Sequence, residues 1–296
     1  MELMGEYSTT LVIDTLEIKK STFYRHLNKR KTSVDASNER KERNRGREEK
    51  ELNQELLREI RAILKEHPFW GYRRVWAYLK HVKGYQINRK RIYRLMKQEG
   101  LLQKKNTALR AKRTPKKKPK AEKPREILGI DGTKFWINGL GWTNLIIVID
   151  WYTKEILGHE ISLRNKGIQW ITALQEALFN GYPEGAKDKG IKLVSDHGSQ
   201  PTSKSFMKFC SELGIKQIFA SYNNPKGNAE TERMIRTVKE EVIWTHEFDS
   251  LEEAKERIKE FIEFYNREYP HSAIGYKSPS MCFREWMEGE GGKKVA

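Results

Sequence analysis

At residue 126 the hydrophobic pattern of this chain changes period, and that change limits the folds open to it. Before it, apolar residues recur at helical spacing, as in Leu52, Leu56, Ile60, Ile63 and Leu64. After it, short apolar runs read as strands over Glu126 to Asp131, Trp142 to Ile149 and Glu155 to Leu163. Their intervening turns, Gly139-Leu140-Gly141 and Asp150 to Lys154, suggest an antiparallel meander. Helix 167–180, strand 191–195, helix 202–213 and strand 215–221 follow, alternating as in an α/β sheet with parallel crossovers. Ser250-Leu251-Glu252-Glu253 is a capping box, opening a long helix with Ala254, Ile258, Phe261, Ile262 and Tyr265 inward. An all-α first part thus precedes an α/β core.

In the first part, His67-Pro68-Phe69-Trp70-Gly71 breaks the leading helix, and a second helix carries Tyr72, Val75, Trp76 and Leu79 on its apolar side. Gly84-Tyr85-Gln86-Ile87 turns the chain, and Asn88 caps a third helix that ends at Gly100. There Ile92, Leu95 and Met96 face inward while Arg89, Lys90, Arg94 and Lys97 project, as a major-groove recognition helix requires. Arg73 and Arg74 are further candidate DNA contacts, and an ordinary bundle with a solvated basic face is the alternative. Nearer the start, Leu11 to Ile18 and a helix from Thr22 to Leu27 capped by Ser21 suggest a shorter helical unit.

Charge follows the same division. The net charge is +17, but residues 1–125 hold 35 Lys and Arg against 15 Asp and Glu, while residues 126–296 hold 22 against 25. A basic part joined to a nearly neutral one reads as a nucleic-acid grip on a separate working domain. The stretch 102–125, with Pro115, Pro119 and Pro124 among its bases, reads as an extended linker. No window approaches twenty apolar residues and no signal-peptide pattern is present, so neither a membrane nor secretion is expected, and the compartment is the cytoplasm, at the nucleoid. Cys210 and Cys282 lack metal-ligand spacing and are expected to be reduced, without zinc.

Three carboxylates stand out. Asp131 follows the apolar run Ile127 to Ile130, Asp196 ends the run Ile191 to Val194, and Glu232 lies in the first turns of a helix that Asn228 can cap. From two strand ends and one helix they can converge as hard oxygen ligands for a pair of Mg²⁺ ions. The alternative for either Asp alone is an ordinary turn residue, the role assigned to Asp150. On a helical wheel Glu232, Arg236 and Lys239 share one stripe, Glu230 points away, and Ile235, Val238 and Val242 would dock on the sheet. His197 reads as a polar turn residue. Three antiparallel strands, then helix, strand, helix, strand, helix is the order of a ribonuclease H-like fold, in which the first and fourth strands are neighbours.

These motifs resemble the IS-three-type insertion-sequence transposases, whose core is like that of retroviral integrases. The resemblance runs through Pro68-Phe69-Trp70-Gly71-Tyr72-Arg73-Arg74, Asn88 to Met96, Ser195-Asp196-His197-Gly198-Ser199-Gln200 and Asn228-Ala229-Glu230-Thr231-Glu232. It continues in Phe264-Tyr265-Asn266-Arg267 and Pro270 to Pro279, and includes the thirty-five-residue gap between Asp196 and Glu232 and the Lys seven residues after the Glu. It departs from the family at Leu128-Gly129, where a Trp is usual, at Gly132, where an apolar residue is common, and at Val194, His197 and Gly227. The resemblance implies an α/β, ribonuclease H-like core, a mixed five-stranded sheet with flanking helices, preceded by all-α helix-turn-helix units. The expected organisation is an N-terminal helical DNA-binding segment (1–50), a helix-turn-helix-like domain (51–101), a basic linker (102–125), an integrase-like core (126–245) and a C-terminal helical extension (246–296).

A DDE-type transposase, a polynucleotidyl transferase and endonuclease, is the activity expected. Asp131, Asp196 and Glu232 would hold two Mg²⁺ ions, with Mn²⁺ able to substitute, for nicking at element ends and 3′-hydroxyl strand transfer. Lys239 and Arg236 would hold phosphates. Expected partners are double-stranded DNA, as terminal repeats and target, and further copies of the chain assembled on the ends. Starting at its own Met without zipper heptads, the chain reads as a downstream-frame product, with an upstream-frame helix-turn-helix protein as candidate partner. The alternatives are a DNA-binding regulator derived from a transposase, and a ribonuclease H-type nuclease without strand transfer. Duplex affinity is expected to fall linearly with the logarithm of salt, by roughly 0.9 per phosphate neutralised. A salt titration by filter binding measures it, and a flat profile would contradict the charge reading.

Overall fold

The computed structural model describes residues 19–22, 24, 49–103, 120–220 and 227–293. The proposed helices at 11–18 and 22–27 and most of the basic linker lie outside or largely outside that range. The chain falls into two compact units, residues 1–62 and 63–296, so this division does not coincide with the charge step near 125. In the first unit, residues 20–22, 24 and 49–62 are helical, and Leu56 and Ile60 are buried. The helix from 49, α1, continues to residue 66.

In the second unit α2 (Tyr72–His81) and α3 (Arg89–Gln98) pack through Tyr72 and Tyr93, whose rings meet edge to face at 5.0 Å. The Asn88 side chain caps α3 by accepting from Lys90 N–H at 2.8 Å, and Trp76 Nε1 closes the turn on Ile87 O at 3.0 Å. Ile92, Leu95 and Met96 are buried, and Arg89, Lys90, Arg94 and Lys97 are exposed, the phase expected from the sequence.

Next come β1 (Ile127–Ile137), β2 (Gly141–Asp150), β3 (Ile156–Ser162), α4 (Gly167–Gly181), β4 (Lys192–Ser195), α5 (Lys204–Glu212) and β5 (Lys216–Phe219). Then α6 (Ala229–Val238) runs into a π-helical turn (Lys239–Ile243), followed by α7 (Leu251–Arg267) and α8 (Pro279–Lys293). The five strands form one mixed sheet in the order β3-β2-β1-β4-β5, antiparallel across the meander and parallel from β1 to β5. Leu145 to Ile149 of β2 are all fully buried because both sheet faces are covered, which explains their uninterrupted apolar run. Leu128, Ile130, Ile146 and Val148 pack with Trp170 and Leu174 of α4 and Phe206 of α5. β1 is longer than expected: Phe135 and Ile137 are buried while Lys134 and Trp136 are exposed, so the alternation carries the strand past Asp131.

Gly129 sets how closely α6 can approach the sheet. A Cβ there would lie 2.1 Å from Thr231 Oγ1 and 2.2 Å from Trp151 Nε1, and the indole donates to that hydroxyl at 3.2 Å. The indole of Trp151 thus occupies the space a side chain at 129 would need, which accounts for glycine where the resembling family usually has bulk. Gly132 makes no such demand, since a Cβ there would sit 3.5 Å from Trp170.

Glu241, in the π-helical turn, ties the helix-turn-helix part of this unit to the core. Its buried carboxylate accepts from Trp70 Nε1 at 2.8 Å and the Tyr269 hydroxyl at 3.0 Å, and lies 3.0 Å from His67 Nδ1. Arg74 is 3.7 Å from it and over the Tyr269 ring at 5.0 Å. The Trp-Gly-Tyr-Arg-Arg motif therefore faces protein through Trp70 and Arg74. Ser250 caps α7 as expected, accepting from Glu253 N–H at 3.1 Å, and all five expected inward residues of that helix are buried. Asn266 donates to and accepts from the backbone of Ile156, and Tyr265 donates to Lys154 O, stapling α7 to the β2–β3 turn.

Glu241→Ala leaves an indole N–H, a phenol and a guanidinium without their acceptor and is expected to cost about 3 kcal/mol or more, read by urea denaturation. Gly129→Ala forces α6 off the sheet at a cost of about 1–3 kcal/mol, visible as a lowered melting temperature. A Gly129→Ala melting curve that overlays wild type would contradict the close approach.

Candidate active site

The β1–β4 ladder brings the first two carboxylates together. Ile127 pairs with Lys192, Leu128 with Leu193 and Gly129 with Val194. Continuing that register two residues sets Asp131 level with Asp196. Asp131 lies within β1, not at its end, opposite Ile147 of β2, while Asp196 follows the last residue of β4 and is exposed. By the two-residue pleat Asp131 shares the face of Gly129 and Phe135. That is the face α6 covers, since Thr231 reaches Gly129. Glu232, the next residue, is exposed.

Electrostatics links these groups. Burial pushes the half-buried Asp131 up to about 7; the Gly132 N–H, 2.8 Å from its Oδ1, pulls the other way. The carboxylates of Asp196 and Glu232 raise it further, and the Lys239 ammonium lowers it. A carboxyl whose ionised form is disfavoured by burial and by two like charges is relieved by a cation placed among them. Hard oxygen donors in that setting suit a divalent ion such as Mg²⁺. Among the described residues no three His, Cys, Asp or Glu side chains are already gathered at metal-holding distance, so a cation would have to draw the acids inward.

Neighbouring residues sort differently from the expectations. Asn228 stands at the N-cap position of α6, yet its side chain makes no cap: Nδ2 points to Ile130 O at 3.5 Å, and its buried Oδ1 has no hydrogen-bond partner. Its strand-facing position, and not helix capping, is what the fold uses. Arg236 is exposed and pairs with Glu240 at 2.8 Å, an i, i+4 surface pair not aimed at the acids. Lys239 begins the π-helical turn and is the cation that acts on Asp131. Glu230 pairs with Lys154 at 2.9 Å.

Asp150 is fully buried, accepts from Tyr152 and Thr153 N–H and from the Thr153 hydroxyl at 2.7 Å, and pairs with Arg125, the turn role expected of it. His197 packs edge to face on Phe219 at 4.8 Å. Of the expected DNA contacts, Arg73, Arg89, Lys90, Arg94 and Lys97 are exposed, with Arg89 5.9 Å from the Trp76 ring. Arg74 is a correction: it turns inward to Glu241 and is not a surface base. Sequence reasoning missed Gly129, Trp151 and Thr231 as the group that positions Glu232; no local signal joins three residues so far apart.

Residues 51–107 match the HTH-like domain family, and residues 121–225 and 213–279 each match a family described as integrase core domain. The transposase InsD for insertion element IS2A/D/F/H/I/K of Escherichia coli is 26% identical over 242 residues, covering 78% of this chain and 79% of that one. The transposase InsD for insertion element IS2-9 of Escherichia coli (strain K12) is likewise 26% identical, covering 78% and 77%. Among solved structures, the catalytic core domain of BIV integrase aligns with a TM-score of 0.42 at 19% identity, over 57% of this chain and 99% of that one. Integrase-core matches thus run from residue 121 to 279 behind an HTH-like match, and over most of its length the chain is similar to insertion-element transposases.

Proposed function

We propose that this chain cleaves DNA at the ends of an insertion sequence and joins the freed 3′-hydroxyls to target DNA, with Asp131, Asp196 and Glu232 as its catalytic carboxylates. The observation that supports this most directly is the level placement of Asp131 and Asp196 on adjacent parallel strands, with Glu232 acting on Asp131 from α6. These three would hold two Mg²⁺ ions, with Mn²⁺ as a substitute. Held by these carboxylates, such ions would supply Lewis-acid chemistry toward the attacking water or hydroxyl and the leaving 3′ oxygen.

The protein's own groups do the rest. Lys239 sets a positive charge beside the acids, where a scissile phosphate needs one, and its stem starts in the π-helical turn that Glu241 anchors to Trp70 and Tyr269. Arg89, Lys90, Arg94 and Lys97 on α3, with Arg73, grip duplex DNA by phosphate contacts and base edges. Arg236 is a weaker candidate for a phosphate contact, because it must first leave Glu240. Several copies of the chain assemble on paired DNA ends, an upstream-frame helix-turn-helix product is a candidate partner, and the site of action is the nucleoid.

The test compares purified variants on a labelled duplex carrying an element end. Asp196→Asn is expected to bind the duplex normally and to lose nicking and joining in Mg²⁺ or Mn²⁺. Glu232→Gln is expected to lose on the order of a hundredfold or more in cleavage, since about 1.4 kcal/mol of barrier is tenfold in rate. Glu230→Gln weakens the pair with Lys154 and is expected to change the rate by a small factor. Cleavage that survives Asp196→Asn, or persists in excess chelator, would sink the assignment.

A further inference from the structure

Trp136, Trp142 and Trp244 are 53%, 63% and 59% exposed, although indoles are the largest apolar surfaces a chain carries. Trp136 and Trp142 face one another across the β1–β2 register, edge to face at 5.6 Å. Trp244 closes the π-helical turn, its N–H bonded to Lys239 O at 2.8 Å. All three line one groove of about 540 Å³, together with Lys134, Lys239 and His246. The groove runs along a free edge of β1: β4 pairs only with Ile127, Leu128 and Gly129, so beyond Gly129 that edge carries no strand among the described residues. This lets Phe135 and Trp136, neighbours on opposite faces of the pleat, line the same space.

Lys239 connects the groove to the acids, because its ammonium both lines the groove and acts on Asp131. Flat rings in a groove lined also by Lys134 and Lys239, against one acid, Glu247, suit bases joined by phosphates. A buried protein contact would suit them less, since lysine is depleted from the centres of protein interfaces.

We propose that this groove takes unpaired nucleotides of the DNA end, stacking one or more bases on Trp142 and Trp244 while Lys134 and Lys239 meet the flanking phosphates. The idea rests on the strand-transfer reading, yet it concerns binding and can fail separately. Stacking on an indole tolerates any base, so the groove would hold frayed or extruded nucleotides without reading their sequence.

The test uses the full chain with a chelator present, so no cleavage contributes. The probes are an oligodeoxythymidylate of about ten nucleotides, within the usual site size for single strands, and a blunt duplex of random sequence. Salt is held at roughly 0.3 M to weaken phosphate attraction. The double variant Trp142→Ala/Trp244→Ala is expected to bind the oligonucleotide about tenfold or more weakly, with duplex affinity within about twofold of wild type. Trp142→Phe/Trp244→Phe restores most of the loss, because a flat ring returns. Thermal melts confirm that both variants fold. Unchanged oligonucleotide affinity in the alanine variant, or an equal loss for both probes, overturns the proposal. So does sedimentation in which the alanine variant abolishes self-association while oligonucleotide binding persists, since the indoles would then be a contact between copies. Loss of metal-dependent cleavage in wild type would instead count against the strand-transfer reading.

Discussion

Three residue pairs between β1 and β4 carry more consequence than their number suggests. Parallel pairing leaves two chains running in the same direction, so residues equally far beyond the last pair emerge side by side. Asp131 and Asp196 are such residues. A slip of one residue would turn one of them to the opposite face of the sheet. Leu128 and Ile130 of one strand and Leu193 of the other join the same core as Trp170 and Leu174 of α4, and that shared packing opposes the slip. Positioning of the acids is thus a by-product of packing the hydrophobic layer on the far side.

The third acid is set by a different device. Thr231 has to sit against the sheet for Glu232 to reach its neighbours, and it can do so only because Gly129 has no side chain and Trp151 donates to its hydroxyl. Lys239 then follows at the point where α6 loosens into a π-helical turn. That turn is pinned from behind by Glu241, whose carboxylate has little access to water and is held by Trp70 and Tyr269. Within this unit, the segment leading into α2 and the turn bearing Lys239 share one buried polar cluster. A buried carboxylate is costly unless its lone pairs are met, so the cluster specifies one arrangement and penalises loose ones.

The acids are spaced so that charge, not contact, joins them. Asp131 responds to Asp196 and Glu232 without any of the three forming a closed ligand set. Their mutual repulsion, offset in part by Lys239, would be relieved further by the divalent ion that the proposed chemistry requires. Lys239 also lines the groove that holds Trp136, Trp142 and Trp244, so one lysine borders both the acid group and the aromatic groove.

Much of this was legible in the sequence, for local reasons. The change of period at 126, the Ser250 cap and the inward phases of α3 and α7 depend on residues a few positions apart and appear as read, although Glu253 closes back on Asp249 N–H and not on Ser250 N–H. The adjacency of the first and fourth strands followed from element order, and the level placement of Asp131 and Asp196 follows from that adjacency once the register is known. Other features needed the tertiary structure. β1 outruns its apolar run because Phe135 finds Phe248, more than a hundred residues on. Asn228 forgoes capping because Ile130 O lies nearer its amide, and Arg74 leaves the surface because a buried carboxylate waits in the core. Gly129, Trp151 and Thr231 look unrelated along the chain, and only their packing turns a glycine into a requirement. Sequence alone determines what each segment can form from its own periodicity and caps. Which side chains are pulled away from those local roles is decided by partners that only the folded chain brings within reach.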